Sequence, residues 1–163
     1  MTKQEFLAMS LPYDVECVTN IGIRAFTLLS LDVSTGKSKL QSSIIGGFFC
    51  PVISEIKPVC HPLSDLTKEI EHKGEKFVPI INIAKTMYPN HEWSLSKNGT
   101  YAITRENTFE YDYGYDCFLM NNSAQMPQIT YLLKLLEWHF DLFDGIKNNE
   151  AINVNDLETN PYK

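Results

Sequence analysis

The sequence predicts an α+β fold: a mostly antiparallel sheet built from hairpins, packed against one long C-terminal helix, with short helices at its rim. Three observations predict it. Residues 109–119 alternate without a miss, with Phe109, Tyr111, Tyr113, Tyr115, Cys117 and Leu119 on one face and Glu110, Asp112, Gly114 and Asp116 on the other. That is the period of a strand with one buried face. Over 125–144 the period becomes helical: Lys134, Glu137, Asp141 and Asp144 form a narrow polar stripe, and Ile129, Leu132, Leu133, Leu135, Leu136, Trp138, Phe140, Leu142 and Phe143 cover the rest. Turn residues at Ser34-Thr35-Gly36-Lys37 and Asn98-Gly99 separate apolar runs. Helical stretches are too few for a doubly wound sheet.

Taken in order, Thr2-Lys3-Gln4-Glu5 reads as a capping box before Phe6, Leu7 and Met9, so a short helix runs to about Pro12. Val15 to Thr19 and Ala25 to Val33 read as strands, and a partner strand runs through Leu40 to Ile45 before Gly46-Gly47. Pro58 and Pro62 predict an extended connector or edge over 57–62, because two prolines remove ladder donors. Ser64 caps a short helix to about Glu71, which Lys73-Gly74 ends. A helix follows from about Ile80 to Met87 and stops by Pro89. Around Asn98-Gly99 a three-residue loop is preferred over a two-residue one. It pairs Leu95 with Tyr101 and Trp93 with Ile103, placing four apolar side chains on one face. Gly114 marks a bend, a bulge or a hairpin tip. Gly145 ends the long helix, and Ala151 to Leu157 makes a final turn.

The chain has 163 residues, 44% hydrophobic and 12% aromatic, with no repeat, linker or low-complexity stretch. That is one globular domain over 1–163, its last six residues frayed. The net charge of −6 falls wholly within 101–163 and argues against a nucleic-acid or anionic-membrane binder. No apolar leader opens the sequence, and the longest uncharged apolar run, Leu40 to Ser54, is broken by Gly46, Gly47 and Pro51. The expectation is a cytoplasmic protein with no membrane span. Cys17, Cys50, Cys60 and Cys117 then read as buried thiols rather than disulfides, and the glycosylation patterns at Asn98 and Asn121 as coincidence.

No metal and no cofactor is expected. His61, His72, His91 and His139 lack zinc-ligand spacing; adjacent Cys60 and His61 point apart on an extended chain, and the acids two residues either side of His139 face away on a helix. Scattered cysteines and histidines do not indicate a nucleophile–base pair, and phosphate-binding glycine motifs are absent. Glu110, Asp112 and Asp116, with Tyr113 and Tyr115, are the candidate ligand- or partner-binding residues. Carboxylates two apart on a strand lie about 7 Å from one another on one side, a spacing that holds a cation or a basic segment. It is also the wet face of an ordinary antiparallel sheet. Trp138, Phe140 and Phe143 are candidates for an interface, including self-association through helix 125–144, if their face is not core.

The segments Lys57 to Ile80, Leu132 to Ile146 and Ala151 to Leu157 resemble a group of small uncharacterised proteins from gut Bacteroidota genomes, their phages and mobile elements. The group carries no known activity, so the resemblance implies context only: an accessory product acting inside the bacterial cell, in the host cytoplasm if phage-encoded. The expected function is therefore non-enzymatic, binding a protein partner in an anti-defence or virion-associated role. The alternative is a small-ligand binder or enzyme using the aromatic and acidic strand 109–119.

Overall fold

The structure, a computed structural model, describes residues 1–19, 22–32, 34–42, 46–124 and 128–163. Helix α1 (Lys3–Ser10) opens on the expected capping box: Thr2 Oγ1 accepts from Glu5 N at 3.3 Å, and Glu5 Oε2 accepts from Thr2 N at 2.7 Å. Strands β1 (Glu16–Thr19), β2 (Gly22–Asp32), β3 (Lys37–Gln41), β4 (Phe48–Phe49) and β5 (Ile56–Cys60) follow. Next come β6 (Ile70–His72), β7 (Glu75–Phe77), α2 (Pro79–Met87), β8 (Ser94–Leu95), β9 (Ala102–Ile103), β10 (Thr108–Asp112), β11 (Cys117–Met120) and β12 (Ser123–Ala124). Helix α3 (Gln128–Glu137) and β13 (Ile152–Asn153) complete the chain. The expected strand ends at Val33 and Ile45, and the expected helix start at Gln125, lie outside the described residues.

These elements correct the predicted fold class. The chain is mostly sheet, with three short helices among the described residues, and no long C-terminal helix packs on a sheet. Helix α3 stops at Glu137 because His139 adopts a left-handed φ of 57°. His139 N donates to Leu136 O at 3.0 Å and Phe140 N to Leu135 O at 2.8 Å, the paired bonds of a Schellman ending. The apolar pattern continues past this point only because the loop that follows is buried too.

The chain divides into two compact units, Met1–Leu63 with Leu135–Tyr162, and Ser64–Lys134 (with Lys163). In the first, the sheet order is β13-β5-β1-β2-β3-β4, antiparallel except for the β13–β5 pair. Strand β5 is therefore interior, against the expectation of a connector or edge over 57–62 drawn from Pro58 and Pro62. Pro58 faces only Cys17 of β1, while β13 pairs at Val59 and Cys60, beyond the proline. One side of the sheet is covered by Phe6 and Leu7 of α1, packed with Cys17, Leu28, Leu40, Cys60, Leu136 and Phe143. Burying each large side chain there is worth ~1.5–3 kcal/mol. Val59 alternates with Cys60 and so belongs to a second cluster with Val154 and Tyr162. Tyr162, in the stretch expected to fray, is buried. Its hydroxyl donates to Val59 O at 2.6 Å and accepts from Glu16 N at 3.2 Å.

In the second unit β12-β11-β10-β9-β8 form an antiparallel sheet. Its core stacks Phe109 on Phe118 at 5.4 Å, with Tyr131 edge-on to Phe109 at 5.8 Å and Trp93 at 6.2 Å. The helix expected from Ser64 to Glu71 is replaced by one turn at Leu63–Asp65 and the β6–β7 hairpin. Lys73 (φ 52°) and Gly74 (φ 80°) are the two residues of that hairpin's turn, not a helix stop. The preferred 97–99 loop is also corrected: Leu95 pairs with Ala102 and Ser94 with Ile103. Ser96 N donates to Tyr101 O at 2.9 Å, which closes a four-residue loop over 97–100, and Ser96 Oγ accepts from Thr100 N at 3.2 Å and Tyr101 N at 3.4 Å. Asn121 and Asn122, both at positive φ, make the β11–β12 turn.

Candidate functional site

The acidic and aromatic stretch is a hairpin, and Gly114 lies in its tip. Strands β10 and β11 pair Tyr111 with Phe118 and Asp112 with Cys117, leaving Tyr113 to Asp116 as a four-residue turn. Cross-strand partners share a face, so the turn shifts the parity: Phe109 and Tyr111 lie on the face of Phe118, not of Cys117 and Leu119. Asp112 Oδ1 accepts from Gly114 N at 2.7 Å and Tyr115 N at 3.2 Å, which builds the turn. Asp116 stands in the turn at φ 48° and accepts weakly from the Tyr111 hydroxyl at 3.4 Å. Burial, with Asp116 beside it, pushes the Tyr111 phenol well above its ordinary range, so it acts only as a neutral donor. Tyr113 packs edge-on to Tyr111 at 5.1 Å. Burial and then Asp65 raise its phenol. Tyr115 is 83% exposed. Glu110 lies back along β10, across from Leu119. The structure thus gathers Tyr111, Asp112 and Asp116 at the tip and leaves Glu110 outside it, so the three carboxylates form no row.

The cysteines and histidines of the first unit sit differently from a catalytic pair. Burial holds the Cys17 and Cys60 thiols protonated, with Glu16 and Asp141 adding to the effect. A thiol in that state is a poor nucleophile. Cys50 is exposed, which corrects the expectation of a buried thiol there. His139 stacks on Tyr162 at 4.2 Å, and His61 packs on Phe140 at 5.5 Å. Among the described residues no three His, Cys, Asp or Glu side chains converge to hold a metal ion. An open groove of about 510 Å³ runs past the start of α1, between Thr2, Ile53, Phe143 and Asn148. The Thr2 hydroxyl at its edge is engaged in the capping box.

The three aromatics offered as an interface are buried. Phe143 packs on Phe6 at 4.8 Å, and Trp138 and Phe140 lie beyond the end of α3. Exposed apolar surface appears elsewhere, at β4. Residues 46–50 are exposed in succession, with Phe48 61% exposed, and β4 is the terminal strand of the first unit's sheet. Phe49 faces inward toward Leu40 and stacks at 6.4 Å on Phe26. Lys39 Nζ lies 4.2 Å from the centre of the Phe48 ring.

No family model matches the chain, and neither does any curated protein or solved structure. No helix among the described residues is long and apolar enough to cross a membrane.

Two features escaped the sequence. The exposure of β4 was hidden because Phe48, Phe49 and Val52 are residue types that are more often buried than exposed. The signal that marks it is the frame of breakers, Gly46-Gly47 before and Pro51 after, which suits a short edge strand. Asp141 was read as part of a helix's polar stripe. It is buried, and its carboxylate accepts from Phe143 N at 3.3 Å, Gly145 N at 2.8 Å and Ile146 N at 2.8 Å. Gly145 admits no side chain there, since a Cβ would strike the Phe143 ring and meet Ala151 Cβ at 2.9 Å.

Proposed function

We propose that this chain is a non-enzymatic accessory protein that acts by binding a protein partner, which docks at the β3–β4 end of the first unit. The observation that carries the proposal is the exposed run 46–50, with Phe48 standing on a terminal strand. Exposed aromatic surface beside an unpaired strand edge is a feature that folded chains otherwise suppress. The chemistry of the other candidates supports it: two thiols are held protonated, and the Asp112 and Asp141 carboxylates serve backbone amides. A ligand site or enzyme at 109–119 is the weaker reading, because Asp112 and Asp116 accept hydrogen bonds within the hairpin itself. The wider context belongs to the same proposal: a phage or mobile-element product in the host cytoplasm, with an anti-defence or virion-associated role.

Co-purification of tagged wild-type protein from bacterial lysate, weighed by native mass spectrometry, tests it. The expected result is a stoichiometric partner that Phe48→Asp loses while its melting temperature stays within about 2 °C of wild type. A partner that Phe48→Asp retains, or a wild-type protein that carries none, overturns it.

A further inference from the structure

We infer that the docking segment is an acidic extended peptide that joins the first unit's sheet as a strand beside β4; this rests on the docking reading above. Three observations define the occupant. The first is backbone: among the described residues β4 pairs on one side only, with β3. In an antiparallel ladder, alternate residues of such an edge turn their N–H and C=O groups outward, where an added strand can meet them. The second is the face. Phe48 lies opposite Gln41, so by alternation it shares the side of the sheet that carries Lys39 and Lys37, all exposed. At the far end of the same sheet, Val59 is packed by Val154 and Tyr162 of the chain's own C-terminal segment. The β3–β4 end keeps Phe48 open.

The third observation is charge. Lys37 and Lys39 are two apart on one strand, about 7 Å from each other, and carboxylates at alternate positions of an added strand repeat that spacing. Lys39 already reaches across to the edge strand, its ammonium over the Phe48 ring. Asp32 lies opposite Lys37 in register, and its carboxylate is taken up by Ser34 and Thr35 at the turn. The cation nearest the edge is therefore Lys39, on a chain whose net charge is −6. A ring and an ammonium side by side also suit a nucleic-acid strand, but the outer edge of β4, which pairs with no strand among the described residues, favours a peptide.

Fluorescence anisotropy with short labelled peptides tests the inference. An alternating Glu-Val peptide should bind, and an alternating Lys-Val peptide should bind at least about tenfold more weakly. Lys39→Glu should reverse that order, and Phe48→Asp should abolish both. Equal affinity for the two peptides overturns the inference, as does tighter binding of a short oligothymidylate. So does a wild-type dimer that Phe48→Asp dissolves, since the occupant is then a second copy. If Phe48→Asp releases the co-purified partner and the Glu-Val peptide does not bind, the docking reading stands and the acidic strand falls. If Phe48→Asp releases no partner, the docking reading itself falls.

Discussion

Asp141 commits its carboxylate to the amides of Phe143, Gly145 and Ile146, and Gly145 O then accepts from Glu150 N and Ala151 N at 2.7 and 2.9 Å. One side chain thus organises the loop that returns the chain to β13. Asp141→Ala strands two buried donors and a part-buried one and should lower unfolding free energy by about 3 kcal/mol in urea titration. A loss under about 0.5 kcal/mol would mean that those amides find other acceptors. Glu16 behaves in the opposite sense. Burial raises its carboxyl, a hydrogen bond from Thr27 partly offsets this, and Asp14 adds to the rise. Its folded-state value exceeds its unfolded one, so ionisation near neutrality costs stability, and the cost vanishes as pH falls below both. Wild type should therefore gain on Glu16→Gln as urea midpoints are followed from about pH 7 to about pH 4. A constant difference between the two proteins would refute this.

At the scale of elements, the end of α3 shows why periodicity misleads. Leu135 to Phe143 reads as one apolar helix face, yet His139 turns left-handed and a buried loop follows. A non-glycine residue there costs about 1–2 kcal/mol. His139→Gly should therefore be about 1 kcal/mol more stable than His139→Ala in thermal melts, both having lost the stack on Tyr162. The reverse order would show that the left-handed turn is not what limits the site. Elements stated by local chemistry were legible: the Thr2–Glu5 box, α2 with Pro79 in its first turn, and the hairpin turn of β2–β3. Elements fixed by distant partners were not. Nothing near Pro58 announces that β13 arrives only beyond it. In the candidate hairpin the alternation of 109–112 was legible, but the turn at 113–116 that reverses the parity depends on Asp112 bonding to its own backbone. The exposed edge at β4 was illegible for a plainer reason: hydropathy alone does not say whether a phenylalanine finds a neighbour.

At the scale of the whole molecule, the second unit is, apart from Lys163, one continuous segment, while the first is assembled from the stretches before and after it. The pairing of Val59 with Ile152, and the bridge of His61 to Phe140, cannot form until the chain between them has been gathered in. Loop-closure entropy opposes that step, and it shrinks once the intervening segment has folded and no longer behaves as a free coil. Connectivity thus predicts an order of folding: the inner segment first, the β5–β13 seam last. The two tryptophans fall one on each side of this divide, Trp93 in the inner segment and Trp138 in the outer, both buried. Fluorescence from single-tryptophan variants therefore carries two clocks, one started by local hairpins and the other by the meeting of distant stretches of chain.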